Sequence, residues 1–225
     1  MTPEQLTGQT DHHLQPTLMG QKLFLIHPDV VNDILALKKA ASQAGFDLHI
    51  ASGFRSFQHQ LKIWNSKFSG ESPVLDKNSQ PLITTQLSET EKVMSILKWS
   101  ALPGASRHHW GSDFDIYDRI SQPSDIPLKL EPDEYLAGFQ RDFFQWLQVN
   151  MQQYGFFLPY DQDRGGVAAE PWHISHHSVS SRMKKELTPE IILETLNETP
   201  IYGKKVIKKE LNTIYNQFII NINQV

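Results

Sequence analysis

Apolar residues recur along this chain in two periods, and the switches between them mark out its elements. Leu23, Phe24, Leu25 and Ile26 form an apolar run of strand length. Val30, Val31, Ile34, Leu35, Leu37, Ala41 and Ala44 follow near a 3.6-residue period, opened after Pro28 and stopped at Gly45, which predicts a helix. Phe46, Leu48 and Ile50 alternate with polar positions and predict a half-buried strand that runs into Ser52-Gly53-Phe54-Arg55-Ser56. Ser56 caps a helix to about Phe68, with Leu61, Trp64 and Phe68 on one face. Residues 69–86, rich in Ser, Pro, Asn and Asp, read as loop. Ser88 with Glu91 three residues on is a capping-box pattern for a helix carrying Val93, Ile96 and Leu97.

Pro103-Gly104 then breaks the chain, and Ser112 to Tyr117 alternates again. Phe114 and Ile116 fall on one face of that strand, Asp113 and Asp115 on the other. Residues 119–133 carry three prolines and read as loop. Glu134 to Tyr154 reads as one long amphipathic helix with Phe139, Phe143, Trp146, Leu147 and Met151 inward, stopped by Gly155. Phe156 to Leu158 and Val167 to Ile174 read as strands around a polar turn. Thr188-Pro189 opens another helix and Lys204 to Tyr215 a last one, while Phe218 to Ile222 fits a strand or a helix end equally. Residues 1–20, polar and punctuated by Pro and Gly, are expected to drape over the surface. Helices and strands mix without a strict βαβ rhythm and without an internal repeat. The expected class is α+β, a small antiparallel sheet flanked by helices. The whole chain, 1–225, is expected to be one domain, its core spanning about 21–180 and residues 181–225 packed on it as an extension.

Composition narrows the function. Of 225 residues, 39% are hydrophobic and 20% charged, enough for a packed core. The net charge of −4 offers no basic surplus for nucleic acid or an anionic membrane. There is no Cys, so any metal site must use His, Asp and Glu. The N-terminus lacks a basic region followed by an apolar run, and no segment approaches the ~18 apolar residues of a membrane span. The expected location is the cytoplasm, with no membrane partner; the sequence is silent on oligomeric state.

The chemistry concentrates in Ser106-Arg107-His108-His109-Trp110-Gly111-Ser112-Asp113-Phe114-Asp115 and in Glu170-Pro171-Trp172-His173. These segments supply two imidazoles and a carboxylate for one divalent ion, plus a second carboxylate. Three protein ligands leave a corner open for water, as catalytic zinc sites do. A metal there lowers the pKa of water from ~16 toward ~7. Gly111 allows the turn that swings His108 toward the aspartate face. Asp113 is a rival to Asp115 as the carboxylate ligand. Glu170 is the expected base, and Arg55 the expected cation facing the developing oxyanion. Pro171, lacking an N–H, argues against a regular central strand there. Trp110 and Trp172 read as packing walls, and His109, His176 and His177 stay outside the ligand set.

The chain resembles the zinc D-alanyl-D-alanine carboxypeptidases of the VanY type, which share a fold with VanX dipeptidases and the hedgehog domain. The pattern S-x-H-x-x-G-x-x-x-D is matched at Ser106, His108, Gly111 and Asp115, and E-x-W-H at Glu170, Trp172 and His173. S-G-[YF]-R-S-x-x-x-Q is matched at Ser52, Gly53, Phe54, Arg55, Ser56 and Gln60. The resemblance implies one Zn2+ per chain on His108, Asp115 and His173, Glu170 as base, and Arg55 polarising the carbonyl. It also implies Ser106 and Gln60 as donors to the terminal D-alanine of a peptidoglycan-derived peptide. The chain departs from many relatives at Asp113, where they carry a small apolar residue, and at His176, where they carry an aromatic one. An enzyme without an export signal would meet soluble recycled muropeptides, so the L,D bond of a tetrapeptide stem is the expected target. The alternatives are D,D-carboxypeptidase, phage-type endopeptidase, or a non-catalytic zinc module, which would not need Glu170.

Overall fold

The alternation around Asp113 sets the architecture, because a strand with one apolar face and one carboxylate face must stand between a core and a cleft. The computed structural model describes residues 1–76 and 79–224. The chain opens with the short helix α1 (Pro3–Leu6), capped by Thr2, and the hairpin β1 (Gln15–Met19) and β2 (Lys22–Ile26). Helix α2 (Pro28–Gln43), strand β3 (Leu48–Ser52), helix α3 (Phe57–Ser69) and helix α4 (Glu89–Leu97) follow. Strand β4 (Asp113–Asp118) leads through a loop to α5 (Pro132–Leu136) and α6 (Arg141–Asn150). Strands β5 (Phe156–Phe157) and β6 (His173–His176) precede helices α7 (His177–Glu186), α8 (Pro189–Asn197), α9 (Lys204–Lys209) and α10 (Leu211–Ile214). A π-helical turn, Tyr215–Ile219, closes the series.

The main sheet has the order β3-β4-β6-β5, and each neighbouring pair is antiparallel. The α+β class with a small antiparallel sheet is therefore the fold. Phe114, Ile116 and Ile174 lie fully buried on its apolar face. The core they join runs from Leu6 to Ile219 and includes Ile34, Leu37, Trp64, Ile96, Phe143 and Ile214. Among the described residues no helix is long and apolar enough to cross a membrane.

Several expectations need correction. Residues 1–20 do not drape: Leu6, Leu14 and Met19 are buried, and β1 pairs with β2. Polar and Pro-rich sequence hid a strand whose partner lies across a tight turn at Gly20 (φ +68°). The helix expected from Glu134 to Tyr154 is broken between α5 and α6, where Gly138 lies so close to the carbonyl of Asp133 that a Cβ would meet it at 3.0 Å. The strand expected from Val167 begins only at His173, because Pro171 and Trp172 form a turn. Helix α7 carried no strong apolar period, its inward side being Val179, Ser180 and Met183. The helix expected from Lys204 to Tyr215 is interrupted at Glu210, and Phe218–Ile219 end a helical turn rather than a strand.

Candidate metal centre

Sheet register brings the distant motifs together. Asp115 on β4 is directly opposite His173 on β6, and Asp113 is opposite Ser175. Directly opposed residues share a face, so one polar strip carries Asp113, Asp115, His173 and Ser175. His108 arrives from the 3₁₀ turn Arg107–Trp110. Gly111 ends that turn at φ +65°, where a Cβ would stand 2.7 Å from Leu14 Cδ2 and 3.1 Å from the His27 nitrogen. Only glycine suits both the backbone angle and the close approach.

The donor atoms of His108, Asp115 and His173 all lie within 4.8 Å of one another. His108 Nε2 is 3.4 Å from Asp115 Oδ2, and His173 Nδ1 is 3.3 Å from Asp115 Oδ1. A tetrahedral zinc site with bonds of ~2.0–2.1 Å has ligand–ligand edges of about 3.3 Å. Asp115 Oδ1 is buried and, among the described residues, has no hydrogen-bond partner. With no thiolate available, two imidazoles and a carboxylate form the donor set of a zinc site with an open corner. The residues present fit the ion.

Glu170 stands beside this cluster, its Oε2 3.3 Å from His173 Nδ1. His173 N–H donates to the Glu170 carbonyl at 3.1 Å, so the Pro171–Trp172 turn folds Glu170 back over the site. Burial pushes the Glu170 carboxyl up, and neighbouring Asp115 adds to this against the pull of His173 and Arg55. Burial pushes His108 down to about 3, so its ring is a neutral electron-pair donor near pH 7. Burial alone would depress His173 as well, but the Asp113, Asp115 and Glu170 carboxylates around it carry it well above its ordinary value. Three acidic groups crowding one imidazole mark a place built for a cation.

Asp113 is not in the donor cluster. Its Oδ1 accepts from Arg107 Nε at 2.7 Å and lies 3.1 Å from His173 Nε2, and its Oδ2 accepts from Ser112 Oγ at 2.7 Å. Arg107 Nη2 donates to Ser175 Oγ at 2.6 Å. A carboxylate behind the second ring nitrogen turns the first toward the metal position. Burial opposes ionisation of Asp113, but the Arg107 guanidinium and His173 outweigh it and hold its carboxyl far below the usual range.

Arg55 and Ser106 line the same cleft as the donor cluster, a volume of about 260 Å³. Arg55 Nη2 donates to Ser52 Oγ and Nη1 to Gln60 Oε1, both at 2.9 Å. Gln60 is fully buried, and its Nε2 donates to the Ala101 carbonyl at 2.7 Å. It therefore stands behind Arg55 and not in the cleft, unlike the direct substrate donor expected from the sequence. Ser106 is 1% exposed and its hydroxyl has no partner among the described residues.

Other contributors were harder to see. His109, left outside the ligand set, is fully buried: it accepts from Gly104 N–H at 3.1 Å, and its Nδ1 is 2.6 Å from the Arg55 carbonyl. It braces the Arg55 loop. His176 is also buried, 2.9 Å from Asp33 Oδ2, whereas His177 is exposed. Lys67 reaches the cleft from α3 and donates to Ser100 Oγ at 2.7 Å. Arg107 and Lys67 left no signal in the sequence, because nothing in a charged residue's neighbours reveals a partner 68 or 33 positions away.

The family model described as "VanY: D-alanyl-D-alanine carboxypeptidase" matches residues 24–179. An uncharacterized protein of Haemophilus influenzae is 43% identical over 104 residues, covering 45% of this chain and 70% of that protein. Among solved structures, VanYB in complex with D-alanine-D-alanine superposes with a TM-score of 0.54 at 21% identity, covering 85% of this chain and 91% of that one. A vancomycin-resistance D,D-pentapeptidase VanY variant in complex with Zn(II) gives a TM-score of 0.52 at 21% identity, covering 84% and 93%. With its motifs, its sheet register and a match over more than half its length in agreement, the chain belongs to the VanY D-alanyl-D-alanine carboxypeptidase family.

Proposed function

We propose that this chain is a zinc-dependent carboxypeptidase that releases the terminal D-alanine of peptidoglycan stem peptides. The observation that carries the reading is the convergence of His108, Asp115 and His173 beside Glu170 in one cleft. In this reading His108, Asp115 and His173 hold the ion. A zinc ion there supplies Lewis acidity toward the scissile carbonyl and water that ionises near neutral pH. Glu170, with its Oε2 3.3 Å from His173 Nδ1, takes the proton of the attacking water and passes it to the leaving amine. Arg55, held by Ser52 and Gln60, presents a pre-oriented cation to the developing oxyanion. Ser106 offers its unpartnered hydroxyl to the terminal D-alanine.

Of the two bonds open to such an enzyme, we infer the L,D bond of a tetrapeptide stem, with recycled muropeptides as the natural source. Support comes from the apolar part of the cleft lining, which includes Trp99, Leu130, Trp172, Phe218 and Ile219. In a pentapeptide the residue before the cut is D-alanine, with one methyl group to cover. In a tetrapeptide it is lysine or diaminopimelate, whose methylene stem such walls can bury.

Incubating the zinc-loaded protein with free tetrapeptide and pentapeptide stems tests this. D-Alanine should appear from the tetrapeptide, and Glu170→Gln should stop its release while zinc is retained. Release from the pentapeptide alone overturns the bond assignment, and release from neither overturns the carboxypeptidase reading.

A further inference from the structure

We infer that the last segment of the chain, beyond the family match, builds the subsite for the residue preceding the scissile bond and selects a long methylene side chain there. The inference rests on the peptidase reading and adds a specificity-determining role for residues 215–223. The family match ends at 179, yet Phe218 and Ile219 line the same cleft as His108, Asp115, His173 and Glu170. They are only 6% and 8% exposed, so their position is set by packing.

The segment is also fastened to the loop that carries the base. Asn221 Nδ2 donates to the Arg164 carbonyl at 3.0 Å. Asn223 donates from its backbone to Pro159 at 2.9 Å and from its side chain to Leu158 at 3.2 Å. Gln217 Nε2 donates to the Gly165 carbonyl. At Gly166 the two backbones press so close that a Cβ would stand 2.0 Å from the Gln217 carbonyl oxygen. Glu170 N–H in turn donates to the Tyr160 carbonyl at 2.9 Å, so the clamped loop reaches the base itself.

Chemistry assigns the occupant. The departing D-alanine bears a carboxylate and one methyl, and the donors Arg55, Ser106 and Lys67 of the cleft suit it. The apolar wall is left for the side chain on the other side of the cut. Phe218 and Ile219 favour an extended hydrocarbon stem over a methyl, because each further methylene buried adds to binding.

The test compares kcat/KM for D-alanine release by the zinc-loaded full chain from three tetrapeptides that differ only at the third residue: lysine, norleucine or alanine. One methylene in an apolar subsite is worth roughly 10-fold or more, so the wild type should favour norleucine over alanine by at least ~10-fold, with lysine also above alanine. Ile219→Ala and Phe218→Ala should each bring the norleucine-to-alanine ratio down to about 3-fold or less, and Ile219→Val should keep most of it. The ratio is taken within each variant, so partial loss of folded protein cancels. An unchanged ratio in both alanine variants, or a wild type indifferent to the third residue, overturns the inference. A wild type that releases D-alanine from none of the three overturns the peptidase reading instead.

Discussion

Removing the Asp113 carboxylate should cost as much as truncating a large apolar residue of the sheet. Asp113 is fully buried and Arg107 is 4% exposed, and the two meet at 2.7 Å. Among the described residues Arg107 Nη1 already lacks a hydrogen-bond partner, so in Asp113→Ala the guanidinium would keep only Ser175 Oγ and the ring of Trp110, 5.1 Å from Cζ. Breaking a buried pair from one side costs about 3–5 kcal/mol, because a charge is left without compensation. For a chain of this length each kcal/mol moves the melting temperature by roughly 2–4 °C, so a drop of about 6–20 °C is expected. Replacing both partners, Asp113→Ala with Arg107→Met, removes both charges and should recover most of that loss. Urea unfolding of the metal-free protein, followed by tryptophan fluorescence, measures all four members of the cycle. The same substitution removes the acceptor behind His173 Nε2, so zinc affinity by chelator competition should fall about 10- to 100-fold. A loss of stability below about 1 kcal/mol in Asp113→Ala, or a double variant equal to the sum of the singles, would refute the reasoning.

Further outcomes follow from the acidic cluster. If zinc binds the folded arrangement of His108, Asp115 and His173 as proposed, a thousand-fold excess over Kd should stabilise the protein by about 4 kcal/mol, and a chelator should reverse both this and turnover. An equal melting temperature with and without zinc, under saturating conditions, contradicts the site. The Glu170 carboxyl is raised by burial in the folded state, so its neutral form stabilises the metal-free fold below the unfolded pKa, and that contribution is lost as pH rises through the folded one. Metal-free Glu170→Gln should therefore be more stable than wild type at pH 7 and lose that advantage near pH 4, read from paired melts.

Local sequence was sufficient wherever a pattern and its partner lay within one element. The Ser56 and Ser88 caps, helix α2 between Pro28 and Gly45, and the two-faced strand at Asp113 are decided by side chains a few residues apart. The residue types of the candidate donor cluster could be picked out as well, because metal-ligand chemistry admits few side chains and their spacing against Gly111 and Pro171 is restrictive. Three-dimensional packing decided the rest. Strand register placed Asp115 against His173 and sent Asp113 to Arg107, a choice that alternation alone left open since both aspartates share one face. Burial turned Gln60 into a support for Arg55 and His109 into a brace, because only the fold determines which polar groups lose water and must find protein partners. The same holds for the last residues of the chain: Phe218 and Ile219 are unremarkable apolar letters in sequence, and they become a wall of the cleft only through contacts with backbone more than fifty positions away.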